Sequence, residues 1–193
     1  MKEIEIFVDV FDSREKALDL LRQKFGKEKI VKIHDIYFYD PLRKDLMLPE
    51  NPVDPKEKMF RLRRKGSEAL IAYKKDIFTL DGKYFYTEEQ ETSVADADTA
   101  FKIITDLGFK ILIEIDNTRS VFLSGDYEIV LEDVKDLGLF LEVEYLGEAG
   151  ENILEIKNRT QAFTDSLGIK ISEELPMGKS RLMLEKIKNK AGK

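Results

Sequence analysis

The chain has no cysteine and a single histidine, His34. Without cysteine there is no disulfide framework, no thiolate metal site and no thiol nucleophile, and one histidine has no second imidazole with which to share a metal. Any metal held by these residues is therefore a hard, oxygen-bound ion. No apolar run approaches the ~18 residues that read as a membrane span. The N-terminus enters strand-like sequence with no apolar leader, so a soluble, cytoplasmic protein with no membrane partner is expected. Five prolines occur in the chain, and Pro41, Pro49, Pro52 and Pro55 fall within 40–58. They mark a long loop of the kind that serves as a lid or flap. A glycine-rich phosphate loop between a strand and a helix is also lacking.

What is present is charge. Of the 193 residues 36% are charged and 42% are hydrophobic, with a net charge of −6. That is enough apolar material for a real core, and the expected organisation is one domain over 1–193. The acidic balance argues against nucleic acid as a partner, although the 32 basic residues are enough to line one inner surface.

The periodicity divides the chain into strands and a few helices. Strands are predicted at 3–11, 35–39, three between 59 and 92, and then at 109–115, 118–124, 126–132 and 139–145. Turn signals stand at Lys65-Gly66-Ser67, Asp81-Gly82 and Ser124-Gly125-Asp126. Helices are predicted from Ser13 to Phe25, from Asp96 to Leu107 with Ala100, Phe101, Ile104 and Leu107 toward the core, and from Glu148 to Leu167. Gly26, Gly108 and Gly168 stop them, and a shorter amphipathic helix closes the chain at Lys179–Lys190. Eight or nine hairpin-connected strands with inserted helices make an α+β fold built on a large antiparallel sheet.

Three of the strands place a carboxylate at every second residue: Glu3-Ile4-Glu5, Glu89-Gln90-Glu91 and Glu142-Val143-Glu144. Side chains two apart on a strand point to one face, roughly 6.7 Å from each other. From the first carboxylate of each pair to the glycine that ends the next helix are 23, 19 and 26 residues, a loose internal repetition. Cations follow the same alternation at Arg61-Leu62-Arg63, Lys74 and Arg119. Guanidinium groups hold phosphate oxygens in bidentate fashion, and lysine adds a compact charge. If the faces converge, carboxylates hold a divalent metal and the cations hold a polyphosphate. Alternating charge is also what any half-exposed antiparallel strand shows, so periodicity leaves both readings open. His34 reads as a surface or strand-edge residue, Tyr37, Phe38 and Tyr39 as core, and Lys186–Lys190 as a solvated helix end.

The order of these motifs resembles the CYTH superfamily, the triphosphate tunnel metalloenzymes. The N-terminal Glu-x-Glu strand, Asp35-Ile36-Tyr37-Phe38, Arg61-Leu62-Arg63, Glu89-Gln90-Glu91 and the run Leu137-Gly138-Leu139-Phe140-Leu141-Glu142-Val143-Glu144 carry the resemblance over nearly the whole chain. With Asp40-Pro41-Leu42-Arg43 and the long loop before Arg61, the chain looks most like the class IV adenylate cyclases. The resemblance implies an eight-stranded antiparallel β-barrel, or tunnel, with helices packed outside, binding ATP or another triphosphate with Mg²⁺ or Mn²⁺. It implies metal ligation by Glu3, Glu5, Glu142 and Glu144, and substrate contacts from Arg61, Arg63, Lys74 and Arg119 with Glu89 and Glu91 on the same interior. It singles out no catalytic acid or base, and it is compatible with a homodimer that no residue here demonstrates.

The chain departs from the family pattern where cations are usual: Phe7, Thr87 and Asn117 replace them, and Arg181 stands in place of a tyrosine near the C-terminus. Loss of cations from a phosphate-binding wall weakens charge stabilisation in phosphoryl transfer. The leading reading is a class IV adenylate cyclase-like enzyme converting ATP to cyclic AMP and pyrophosphate. Its alternatives are a tripolyphosphate or thiamine triphosphate hydrolase, a catalytically degenerate triphosphate-binding protein, and an interaction module whose charged strands face solvent.

Overall fold

Alternation of apolar and charged residues produces strands, and apolar recurrence every three or four residues produces helices. The computed structural model of the chain describes residues 2–50, 58–147 and 152–191. Along them run β1 (Lys2–Asp9), α1 (Arg14–Phe25), β2 (Lys29–Tyr39), β3 (Lys58–Lys65), β4 (Glu68–Phe78), β5 (Tyr84–Val94), α2 (Ala97–Asp106), β6 (Lys110–Ser124), β7 (Tyr127–Val134), β8 (Gly138–Tyr145), α3 (Ile153–Asp165) and α4 (Lys179–Ala191). The eight strands hydrogen-bond as a closed antiparallel barrel in the order β1-β5-β4-β3-β2-β6-β7-β8. This is the expected tunnel architecture.

The helix ends follow from local chemistry. Ser13, Asp96 and Asn152 accept from the backbone N–H groups of Lys16, Thr99 and Glu155 at 3.3, 2.5 and 3.2 Å, each cap contributing about 1 kcal/mol. Gly26 and Gly168 adopt φ of 81° and 80° beyond α1 and α3, a left-handed backbone open to glycine at no steric cost.

The chain divides into two compact units, each assembled from separated stretches: Lys32–Asp116 with Met177–Lys193, and Lys2–Val31 with Asn117–Pro176. In the second, Ile6 and Val8 of β1, Phe122 of β6, Ile129 and Leu131 of β7, and Leu141 and Val143 of β8 bury their side chains against Ala17, Leu18 and Leu21 of α1 and against Leu167 and Ile169. In the first, Ile36, Phe38 and Leu62 pack with Ile104 of α2, with Phe60, Ala100 and Phe101 around them. Full burial of each such side chain contributes about 1.5–3 kcal/mol. In both units the helices cover the apolar outer face of the strands, and the opposite, inner face is left to the alternating charged residues.

Several elements differ from the sequence expectation. Residues 109–115 and 118–124 form one 15-residue strand, β6: Asp116, read as part of a break, points outward and accepts from His34 Nδ1 at 2.7 Å, while Glu114 lies 3.1 Å from the other ring nitrogen. The strand β2 begins at Lys29, six residues before Asp35. Leu107 is not core: it lies beyond the last helical residue of α2 and is 73% exposed. The helix α3 begins at Ile153, and Glu148, its expected start, lies outside the described residues. The expected lid at 40–58 falls partly on 51–57, also outside them. Its first part is anchored, with Leu46 and Met47 buried and Met47 N–H donating to Lys58 O at 2.9 Å.

Candidate functional site

Register decides which side chains share an inner wall. In the Lys32–Asp116 unit, Asp35 lies opposite Arg63 and Tyr37 opposite Arg61. Arg61 lies opposite Ala72 and Met59 opposite Lys74. Across the next pair, Ala72 faces Glu91, Lys74 faces Glu89 and Asp76 faces Thr87. Arg61, Arg63, Lys74, Glu89 and Glu91 therefore share one face of the sheet.

Asp35 organises this wall. It is fully buried and accepts from Arg63 Nε and Nη2 at 2.7 and 2.8 Å, a bidentate pairing of the strongest type. Arg61 lies 3.9 Å from the same carboxylate. Burial pushes the Asp35 pKa up, but the fields of Arg61 and Arg63 outweigh it and hold the carboxyl well below its ordinary range. Glu89, also buried, brackets Arg61 at 3.5 Å and Lys74 at 3.3 Å, and Arg61 reaches toward Glu91 at 4.0 Å. Burial and Arg63 work against the charge on Arg61, yet Asp35, Tyr37 and Glu89 keep its pKa above the ordinary value. Further along, Asp76 accepts from the Thr87 hydroxyl at 2.9 Å and lies 3.7 Å from Arg181 of α4. Such a wall can hold a multiply charged anion, because its cations are already desolvated and oriented.

The inner wall of the Lys2–Val31 and Asn117–Pro176 unit has a different balance. Glu5 stands opposite Glu144 and Phe7 opposite Glu142. Glu144 in turn stands opposite Glu128, and Phe140 opposite Glu132. Glu3 and Glu142 are buried, and Glu5 and Glu144 half-buried. Like charges directly opposite one another on neighbouring strands repel, and a row of three carboxylates attracts a cation. Arg119 ion-pairs with Glu132 at 2.5 Å and also with Glu142. At the usual cation positions, Phe7 stacks on Phe140 with ring centroids 5.0 Å apart, and Asn117 is buried with neither side-chain amide atom hydrogen-bonded.

The donor set suits a hard divalent cation: Glu3, Glu5, Glu142 and Glu144 offer oxygen alone. Among the described residues no three acidic or histidine side chains are gathered at metal-ligand spacing, so the carboxylates stand in facing rows.

Sequence reasoning passed over Glu128, Glu132 and Asp76, and quoted Asp35 only within a motif. Glu128 and Glu132 do carry the signal, a two-residue period around Val130, but their importance comes from partners on other strands, Glu144 for Glu128 and Arg119 for Glu132.

Residues 1–175 match the family model described as the CYTH domain. A Methanocaldococcus jannaschii protein, whose name assigns it provisionally to the adenylate cyclases, is 30% identical over 147 residues that cover 75% of this chain and 77% of the relative. Among solved structures, the PH1819 protein of Pyrococcus horikoshii is 25% identical, with a TM-score of 0.76 over 95% of this chain and 99% of that one. A Hippeastrum protein, named provisionally as an adenylyl cyclase and described as having a dominant triphosphatase activity, is 16% identical with a TM-score of 0.60, covering 93% of each chain. At that identity the likeness is one of fold.

Proposed function

As the chain belongs to the CYTH domain family, we propose that it is a metal-dependent enzyme acting on a triphosphate, and that its reaction is the class IV adenylate cyclase type, ATP to cyclic AMP and pyrophosphate. The observation that carries the reading is the inner wall on which Glu89 brackets Arg61 and Lys74 at 3.5 and 3.3 Å beside the Asp35–Arg63 pair. Arg61 and Lys74 bind non-bridging phosphate oxygens, and Arg63, locked by Asp35, fixes the direction of the phosphate chain. Glu3, Glu5, Glu142 and Glu144 hold Mg²⁺ or Mn²⁺. When bound, that ion neutralises phosphate charge and polarises the reacting phosphorus. In the cyclase reaction the bond from the ribose 3′-oxygen to the α-phosphorus forms, the bond to pyrophosphate breaks, and the proton of the 3′-hydroxyl passes to solvent.

The name of the Methanocaldococcus relative favours cyclisation, and the description of the Hippeastrum protein makes hydrolysis the competing outcome. A second reading, triphosphate binding without turnover, has its own observation: Phe7, Thr87 and Asn117 are neutral, inward-facing residues. Incubation with ATP and with tripolyphosphate in Mn²⁺, followed by product analysis, separates the three. Cyclic AMP with pyrophosphate supports the cyclase, orthophosphate alone supports a hydrolase, and metal-dependent binding without product supports the binder. Turnover that survives Glu142→Ala would overturn the assignment of the acidic wall.

A further inference from the structure

On the inner wall of the Lys32–Asp116 unit, cations and carboxylates occupy successive levels along β4. At Leu70 the level holds Arg63 with Asp35, at Ala72 it holds Arg61 with Glu91, and at Lys74 it holds Lys74 itself with Glu89. At Asp76 the described strand residues supply no cation, since its partner on β5 is Thr87. That level is completed from elsewhere in the unit. Arg181, in the first turn of α4, is 2% exposed and heads the largest fully buried side chains. Its guanidinium lies 3.7 Å from Asp76, a separation close to those of Arg61 and Lys74 from Glu89 and unlike the 2.7 and 2.8 Å of the bidentate Arg63 pair. The neighbouring residue is seated as well, with the Ser180 hydroxyl donating to Met59 Sδ at 3.3 Å, and Met59 is the partner of Lys74. The helix thus delivers its guanidinium to the wall just past Lys74.

We propose that Arg181 is a substrate-binding residue that extends the anion site by one level beyond Lys74 and sets its preference for polyphosphates of three or more phosphates over pyrophosphate. The inference rests on the triphosphate reading above. Levels on a strand are roughly 6.7 Å apart, so a short anion spanning Arg61 and Lys74 leaves Arg181 unused, and a longer one reaches it. A burial of this kind without ligand chemistry is a tether for α4 to Asp76, and a tether has no reason to discriminate anion length.

The test is calorimetric titration of tripolyphosphate and of pyrophosphate, in Mn²⁺, into the wild-type protein, Arg181→Met, Arg181→Lys and Arg181→Met with Thr87→Arg. Removal of one charge-assisted contact is expected to weaken tripolyphosphate binding by about tenfold or more. Pyrophosphate affinity is expected to fall much less, so that the ratio of the two narrows. Arg181→Lys holds the ratio, and Thr87→Arg, placed opposite Asp76, restores it in the Met background. Tripolyphosphate affinity in Arg181→Met within twofold of wild type, or an equal loss for both anions, overturns the proposal. Should Arg181→Met not fold, Thr87→Arg in the otherwise unaltered chain is the independent arm: a second cation at that level raises the tripolyphosphate preference, and an unchanged preference overturns the idea. Loss of binding in Arg61→Ala but not in Arg181→Met removes this inference alone, whereas a wild-type protein that binds neither anion removes the parent reading with it.

Discussion

On the inner wall of the Lys32–Asp116 unit, Arg61, Arg63, Lys74 and Arg181 stand among Asp35, Asp76, Glu89 and Glu91, with ion pairs between them of 2.7–4.0 Å. On the inner wall of the other unit, Glu5 faces Glu144 and Glu144 faces Glu128, while Arg119 is the one cation at the described inner positions and pairs with Glu132 and Glu142. The same strand alternation therefore yields two kinds of surface. A wall whose charges are matched is stable as it stands and can exchange a carboxylate for a phosphate oxygen. A wall on which carboxylates stand directly opposite one another on neighbouring strands carries their mutual repulsion and attracts a cation. The proposed function gives the anion to the first and the metal to the second, and the contrast can be broken by experiment.

The largest expected effect is at Asp35. Asp35→Ala leaves the buried Arg61 and Arg63 without their shared partner, which costs about 3–5 kcal/mol in denaturant unfolding; a change below 1 kcal/mol would show that the matched wall is not what stabilises this unit. Next comes metal. Mn²⁺ at a hundredfold excess over its dissociation constant is expected to stabilise the protein by about 2.7 kcal/mol, and Glu144→Gln should remove most of the gain while Arg61→Ala leaves it in place. A gain that ignores Glu144→Gln would unseat the acidic wall as the metal site.

Acid acts on an ion pair in each unit. Bonded by Arg22 through both oxygens at 2.5 and 2.9 Å, Glu28 has its pKa lowered from 4.5 to about 2, and Asp35 is likewise depressed. A carboxyl whose folded pKa lies below its unfolded value contributes stability that is complete above the unfolded pKa and is lost as pH falls through the folded one. The unfolding midpoint should therefore hold down to about pH 4.5 and fall progressively toward pH 2; a flat midpoint over that range would contradict both ion pairs. The smallest effect has the opposite sign. Without metal, Glu128→Gln should stabilise the protein by about 0.2–1 kcal/mol by relieving repulsion from Glu144, which it faces; an unchanged or lower unfolding midpoint would contradict that repulsion.

Much of this was legible in the sequence. The alternations at Glu3/Glu5, Arg61/Arg63, Glu89/Glu91 and Glu142/Glu144, the cap at Ser13, the helix start at Asp96 and the closing helix all carry local signals, and local signals depend on residues a few positions apart. What escaped reading depends on distant partners. Asp116 and Asn117 have the composition of a turn, and partners on other strands hold β6 unbroken: Asp116 pairs with His34 and Asn117 lies in register with Val134. The first residues of β2, with Lys29, Ile30 and Lys32 all exposed, have no dry face to betray them. Leu107 fits the helical period of α2 but falls one residue past its end. Asp35 looked like one member of a motif, and its role as the joint partner of two arginines is a matter of register with β3.

The interrupted make-up of the two units also bears on how the molecule comes into being at the ribosome. The strand β1 is finished by residue 9, yet its antiparallel neighbour β8 ends at Tyr145, and the Lys32–Asp116 unit takes its last stretch from Met177–Lys193. At about 5–20 residues per second, the first strand waits roughly 7–30 s of translation for that neighbour. The nascent chain thus passes through a long interval in which its earliest strand still lacks β8 and the inner wall of the Lys32–Asp116 unit still lacks Arg181.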